Sequence, residues 1–246
     1  MCATCGCSET KAEHGQDHGH SHDHDHGKTI RLEEGILAKN NAFAAKNRAW
    51  LRERGILALN IVSSPGAGKT TLLVRMIKDL AGRLPVSVIE GDQETSLDAD
   101  RVRAAGARAV QLNTGTACHL DAHGVGHALG DLRPADRSCL IIENVGNLIC
   151  PALFDLGEEK RILVASVTEG EDKPLKYPHM FRSADVIVVN KVDLLPHVDF
   201  SVDRFRDHAR EVNPRAQIFP VSATRGDGLE EWYGWLLSLS GRPVAV

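Results

Sequence analysis

No stretch of this 246-residue chain approaches the roughly 18 consecutive apolar residues that a membrane helix requires. An excess of positive charge is missing too. The 29 Lys and Arg stand against 33 Asp and Glu, a formal net charge of −4, which argues against nucleic acid as the main partner. No apolar leader marks the N-terminus, which is Cys/His-rich instead, so no secretory signal is read and the expected compartment is cytoplasmic. The six cysteines lack a secretory context and favour reduced thiols and metal ligation over disulfides. No internal repeat is evident. What remains is ordinary for a soluble globular protein: 42% hydrophobic and 25% charged residues, with room for one full α/β domain and a tail.

The expected organisation has three parts. Residues 1–27 hold no apolar periodicity and cannot bury a core, so they are expected to be a disordered Cys/His-rich metal-binding tail. Residues 28–55 carry apolar residues at helical spacing (Ile36, Leu37, Phe43, Ala44, Trp50, Leu51) and predict one or two helices, with Gly55 as the stop. Residues 56–246 alternate strand and helix patterns. Apolar runs at 56–62, 85–90, 107–112, 138–143, 161–167, 185–189 and 217–221 predict strands. The stretches from Leu72, at 96–105, 118–129, 202–212 and 229–239 predict helices. This alternation implies an α/β fold, a mostly parallel sheet flanked by helices, with ligands at the carboxyl ends of the strands.

Ser63-Ser64-Pro65-Gly66-Ala67-Gly68-Lys69-Thr70-Thr71 lies between the first strand and its helix, the context of a P-loop. Glycines allow backbone N–H groups to close on phosphate oxygens, and the helix N-terminus adds its positive end. Lys69 is expected at the β- and γ-phosphates and Thr70 on Mg²⁺. Ser63 replaces the usual first glycine. Downstream, Asn190-Lys191-Val192-Asp193 ends a strand run and resembles the guanine-specificity motif. An Asp193 carboxylate can accept from the ring N–H and exocyclic amine of guanine, a donor pair adenine lacks. Asn190 would brace the loop and the Lys191 stem would lie along the base. Ser222-Ala223-Thr224 resembles the loop that meets guanine O6 through backbone N–H.

A Mg²⁺–phosphate site calls for a further carboxylate at a neighbouring strand end. Glu143 is assigned to the metal shell, and Asp92 to Mg²⁺ or to the attacking water. With Lys69 they form the expected catalytic set. No arginine finger in cis is visible, so hydrolysis is expected to be slow without a partner or second subunit. Lys173, in a loop stiffened by Pro174 after the 161–167 strand, could cross a dimer interface to supply the cation.

The metal signals are two. Cys2, Cys5 and Cys7 put three thiols within six residues, suited to a soft or borderline ion. His14, His18, His20, His22, His24 and His26 follow and would bind several divalent ions weakly. Internally, Cys118-His119 and Cys150-Pro151 could meet if both loops sit at strand carboxyl ends. The alternative is that both thiols are small buried hydrophobes. His123 and His127 continue the His119 face at helical spacing and could add ligands, while Cys139 lies inside a strand and fits the core.

Together the Cys-x-x-Cys-Gly-Cys start, the His tract, the Gly-Lys-Thr-Thr loop, Glu-Asn-Val-Gly-Asn-Leu-Ile-Cys-Pro at 143–151 and Asn-Lys-Val-Asp resemble the HypB family, the nickel-incorporation GTPases of NiFe-hydrogenase maturation. The resemblance spans almost the whole chain. It implies a dimeric P-loop GTPase that delivers nickel. It also implies a tight nickel site on Cys2, Cys5 and Cys7, and a weaker nickel or zinc site on Cys118, His119 and Cys150. Implied partners are GTP, a HypA-type metallochaperone and the hydrogenase large-subunit precursor. The urease accessory GTPases are the nearest alternative, but they carry Cys-Pro-His where Ala152 follows Cys150-Pro151 here. A nickel storage protein with a regulatory nucleotide domain is the other alternative. Because Glu143 and Cys150 share one short segment, GTP and internal metal are expected to be coupled.

Overall fold

The computed structural model describes residues 23–92, 97–115 and 117–241, with side chains from residue 34 onward. Cys2, Cys5, Cys7 and the histidines from His14 to His22 lie outside these residues. The metal site expected on these thiols therefore lies outside the described residues.

Seven strands form one parallel sheet: β1 (Leu57–Ser63), β2 (Val86–Asp92), β3 (Arg108–Asn113), β4 (Cys139–Glu143), β5 (Lys160–Ser166), β6 (Val186–Asn190) and β7 (Gln217–Pro220). Their order is β3-β2-β4-β1-β5-β6-β7. The chain leaves β1 toward one edge and later crosses to the other through β5. That reversal opens a crevice at the carboxyl end of β1, where open α/β sheets hold ligands. The sheet is covered on both faces, so its strands are near-continuous apolar runs rather than alternating ones.

Alternate residues of β1 feed the two faces. Leu57, Leu59 and Ile61 pack under α2 (Lys69–Asp79), α3 (Leu97–Ala104) and α8 (Leu229–Leu239), with Leu73, Met76 and Trp232 at the centre. On the opposite face Ala58, Ile89, Leu140 and Ile142 pack under α1 (Asp23–Glu53) and α4 (Ala122–Leu132). Further along that face Val62, Leu163, Ile187 and Val189 meet α6 (Pro178–Ser183) and α7 (Val202–Val212). A one-turn helix, α5 (Lys173–Lys176), precedes α6.

The predicted N-terminal helices are one continuous helix of 31 residues, α1, which begins at Asp23, ahead of the boundary drawn at 27/28. Gly55 follows it at φ +60°, the left-handed turn that favours glycine. Two asparagines fasten α1 to the domain. Asn40 Nδ2 donates to the Asp155 carbonyl at 2.7 Å, while its Oδ1 accepts from Ala122 N–H at 2.8 Å. Asn47 donates to the carbonyls of Ala122 and Leu156, at 2.7 and 3.1 Å.

One predicted element is corrected. The helix expected from Cys118 starts at Ala122, because Asp121 caps it and accepts from Gly124 N–H at 2.7 Å. Cys118 and His119 sit in the loop before it. His119 therefore does not share a helix face with His123 and His127.

Candidate functional site

Each of the seven strand ends carries a residue already singled out or leads directly to one. At the end of β1 the P-loop turns through Gly66 (φ +75°) and Gly68 (φ +96°) into α2. A Cβ on Gly68 would lie 2.5 Å from Asn190 Nδ2, so no side chain fits there. That Asn190 amide joins three loops. Its Nδ2 donates to the Ala67 carbonyl at 3.0 Å, and its Oδ1 accepts from Lys191 N–H and Ala223 N–H at 2.8 and 3.1 Å. The Ala223 N–H is thus engaged with Asn190 rather than standing free for a base oxygen. Lys191 adopts φ +64° and its ammonium reaches the Gly66 carbonyl at 2.7 Å. Ser222 Oγ donates to Asp193 Oδ1 at 2.6 Å, which fixes the carboxylate expected at guanine.

Lys69 Nζ donates to Ser63 Oγ at 3.0 Å, so the serine in place of the first glycine steadies the P-loop ammonium. Thr70 is buried, and its hydroxyl lies 2.7 Å from Glu143 Oε1 and 3.0 Å from Asp98 Oδ2. Glu143 ends β4, and Glu90 is its register partner on β2. Both carboxyls are buried and each keeps one oxygen, Oε2, without a hydrogen-bond partner among the described residues. Burial, and then the charge of Glu143, push the Glu90 carboxyl up to about 8. Burial also raises Glu143, against the pull of Lys69 and Thr70. Asp92 ends β2, and its carbonyl accepts from Thr114 N–H at 3.0 Å. These groups line a cleft of about 560 Å³ with Pro65, Thr71, Arg101, Asn144 and Gly146.

Unpartnered carboxylate oxygens beside a threonine hydroxyl make an oxygen-only donor set, which suits Mg²⁺. Sequence reasoning missed Glu90, Asp98 and Arg101. Glu90 sat inside a strand run and Asp98 in a stretch read only as helix. An acid and an arginine in the turns of a helix just past a ligand-bearing strand end were the available signal. Arg101, which the sequence reading did not single out, also lines the cleft.

The internal thiols do meet. The ligand atoms of Cys118, His119 and Cys150 all lie within 4.8 Å of one another. Cys118 Sγ is 2.9 Å from Cys150 Sγ and 3.7 Å from His119 Nδ1. Burial lowers the His119 pKa, which keeps the imidazole neutral and able to bind metal. Its ring packs on Phe154, with centroids 3.9 Å apart. Cys139 is fully buried in β4, where burial pushes its thiol up to about 12, an inert core position. His123 and His127 are placed apart from this cluster as a pair of their own on α4, with Nε2 atoms 3.2 Å apart.

The two centres are joined by residues 143–150. Glu143 holds Thr70 at one end and Cys150 holds the thiol cluster at the other. Between them Asn144, buried, accepts from Leu120 N–H at 3.2 Å and donates to Asn60 Oδ1 at 3.4 Å. Asn147 Nδ2 donates to the Cys118 carbonyl at 3.3 Å. A Cβ on Gly146 would sit 3.2 Å from the Pro65 backbone, so this glycine lets the segment lie directly against the P-loop. Lys173 lies beside the same loop. Its Nζ is 2.9 Å from Ser64 Oγ and 3.4 Å from Glu169 Oε2, contacts within its own chain.

Comparison with known proteins agrees with this geometry. Residues 57–220 match the family described as CobW/HypB/UreG, nucleotide-binding domain. Hydrogenase maturation factor HypB of Rhizobium leguminosarum bv. viciae is 60% identical over 85% of this chain and 70% of its own length. The crystal structure of HypB from Archaeoglobus fulgidus is 43% identical, covers 82% of this chain and 99% of its own, and superposes with a TM-score of 0.77. HypB from Helicobacter pylori, solved in complex with nickel, is 38% identical over 85% of this chain and 99% of its own, also at TM-score 0.77. With a P-loop, a guanine-type loop and a cysteine–histidine cluster at the carboxyl end of one sheet, the chain belongs to the CobW/HypB/UreG family and, within it, to the HypB hydrogenase maturation factors.

Proposed function

We propose that this protein hydrolyses GTP to GDP and phosphate and uses the nucleotide state to bind and release nickel for NiFe-hydrogenase assembly. The observation that carries the reading is the 143–150 segment, which gives the nucleotide cleft and the thiol cluster one shared piece of backbone.

The cleft's own residues set out the chemistry. Backbone N–H groups from Gly66 to Thr71 and the start of α2 hold the phosphates. Lys69 balances charge on the group being transferred. Thr70, Glu143 and the nearby Glu90 would hold Mg²⁺, with Asp92 at the metal or at the attacking water. Mg²⁺ itself would neutralise phosphate charge as it develops. Asp193 selects guanine, with Asn190, Lys191, Ser222 and Ala223 fixing its loop.

Nickel is the cargo, held by two thiolates and an imidazole at Cys118, His119 and Cys150, with zinc as a competitor for the same soft set. Cys2, Cys5 and Cys7 are proposed as a separate, tighter nickel site. The working unit is proposed to be a cytoplasmic homodimer that receives nickel from a HypA-type metallochaperone and passes it to the hydrogenase large-subunit precursor. Among the described residues no helix is long and apolar enough to cross a membrane.

Two substitutions test the enzyme. Lys69→Ala should abolish GTP turnover, and Asp193→Asn should weaken GTP binding by about tenfold or more, because an amide offers one acceptor where guanine presents two donors. Unchanged turnover in the first, or equal GTP affinity in the second, would contradict the reading.

A further inference from the structure

We propose that Asp98 and Arg101 form a latch at the phosphate end of the cleft, and that Arg101 is the chain's own cation for the phosphate tail of the nucleotide. The proposal rests on reading this cleft as the Mg²⁺–GTP site. The first turn of α3 stands over the start of α2. There Asp98 Oδ2 lies 3.0 Å from the Thr70 hydroxyl, and Asp98 Oδ1 accepts from Arg101 Nη1 at 3.0 Å. Arg101 Nη2 reaches Thr71 Oγ1 at 3.4 Å. The guanidinium is therefore anchored beside the two threonines that follow the P-loop lysine.

Charge gives the pair its purpose. Asp92 and Asp98 line the cleft beside the buried carboxyls of Glu90 and Glu143, and three cations stand opposite them (Lys69, Lys191 and Arg101). Lys69 is bonded to Ser63, and Lys191 to the Gly66 carbonyl. A polyphosphate brings several negative charges into this cleft and needs the third cation as well. The Arg101 and Asp98 side chains are 51% and 40% exposed, and an exposed pair of this kind is held only weakly. It is readily exchanged for a phosphate, whose oxygens match the planar guanidinium fork. Mg²⁺ competes for Thr70 and for the Asp98 carboxylate. Each ligand thus takes one half of the latch.

The test uses full-length protein and fluorescent guanine nucleotides, with and without Mg²⁺. Arg101→Ala should weaken Mg²⁺·GTP binding about tenfold or more and lower kcat, and added guanidinium ion should restore part of both. Arg101→Lys should fall between the two. Without Mg²⁺, Asp98→Asn should bind GTP more tightly than the unaltered chain, and the Asp98→Asn, Arg101→Ala double variant should lose that gain. Both residues are exposed, so unchanged thermal midpoints should accompany these effects. GTP affinity within about twofold for Arg101→Ala, no response to guanidinium, or a gain that persists in the double variant would overturn the latch. Lys69→Ala run in parallel separates the two ideas. If it too leaves GTP affinity unchanged, the reading of the cleft fails rather than the latch alone.

Discussion

One side-chain amide, that of Asn190, ties together the P-loop, the guanine loop and the 222–224 turn. Replacing it by alanine leaves buried backbone groups unpaired, which should cost about 1–3 kcal/mol and lower the thermal midpoint. The same variant should lose preference for GTP over ATP in competition binding, and retention of both properties would contradict the assignment. The Glu90 carboxyl makes a pH prediction. Unfolded, it titrates near its ordinary value, and folded, near 8. Between these values the folded chain keeps a proton that the unfolded chain has released, so stability falls as pH rises. The slope is at most about 1.4 kcal/mol per pH unit. Thermal midpoints of the metal-free protein should fall from about pH 5 to about pH 8, and Glu90→Gln should flatten most of that fall. What was legible at this scale was contiguous. Gly66 to Thr71 and Asn190 to Asp193 carry their chemistry in unbroken strings. Glu90 and Asp98 acquire theirs only from partners on other elements, Glu143 by strand register and Thr70 by helix packing, which no local pattern shows.

At the scale of elements, strand runs came through because the sheet buries both faces of its central strands, and most helix runs because each buries one apolar stripe. The beginning of α4 was misread because Cys118 to Leu120 continue the apolar pattern, while the stop signal was the single capping carboxylate of Asp121. The later start leaves His119 in the loop with Cys118, within reach of Cys150 as expected, and takes it off the α4 face that carries His123 and His127. The docking of α1 was also hidden, because it depends on a turn more than a hundred residues away. Gly157, at φ +94°, lies so close to α1 that a Cβ would come within 2.7 Å of the Ala44 carbonyl. Gly157→Ala should therefore lift α1 from the domain. A loss of about 2 kcal/mol or more in denaturant unfolding is expected, because strain at a left-handed position adds to the clash. An equally stable variant would show that α1 is not held by this turn.

Across the whole molecule, the strand order brings the nucleotide and the metal together. β1 and β4 are neighbours, so the P-loop after β1 and the 143–150 segment after β4 leave the sheet side by side. Glu143 then touches Thr70, Gly146 touches Pro65 and Cys150 touches Cys118. Any movement of Glu143 toward Mg²⁺ and the γ-phosphate would be passed along the segment to Cys150 and across to the Cys118–Leu120 loop, because Asn144 and Asn147 bond the segment to that loop. Linkage requires that GTP change nickel affinity by the factor by which nickel changes GTP affinity, typically about 5- to 150-fold for an allosteric pair. The direct measurement is a nickel titration of a chain beginning at Asp23, which removes the N-terminal thiols and keeps all the described residues. It is made once with GDP and once with a non-hydrolysable GTP analogue, both with Mg²⁺. The predicted result is two nickel affinities differing by about fivefold or more, with the difference lost in Cys150→Ala. Identical affinities in the two nucleotide states would contradict the account.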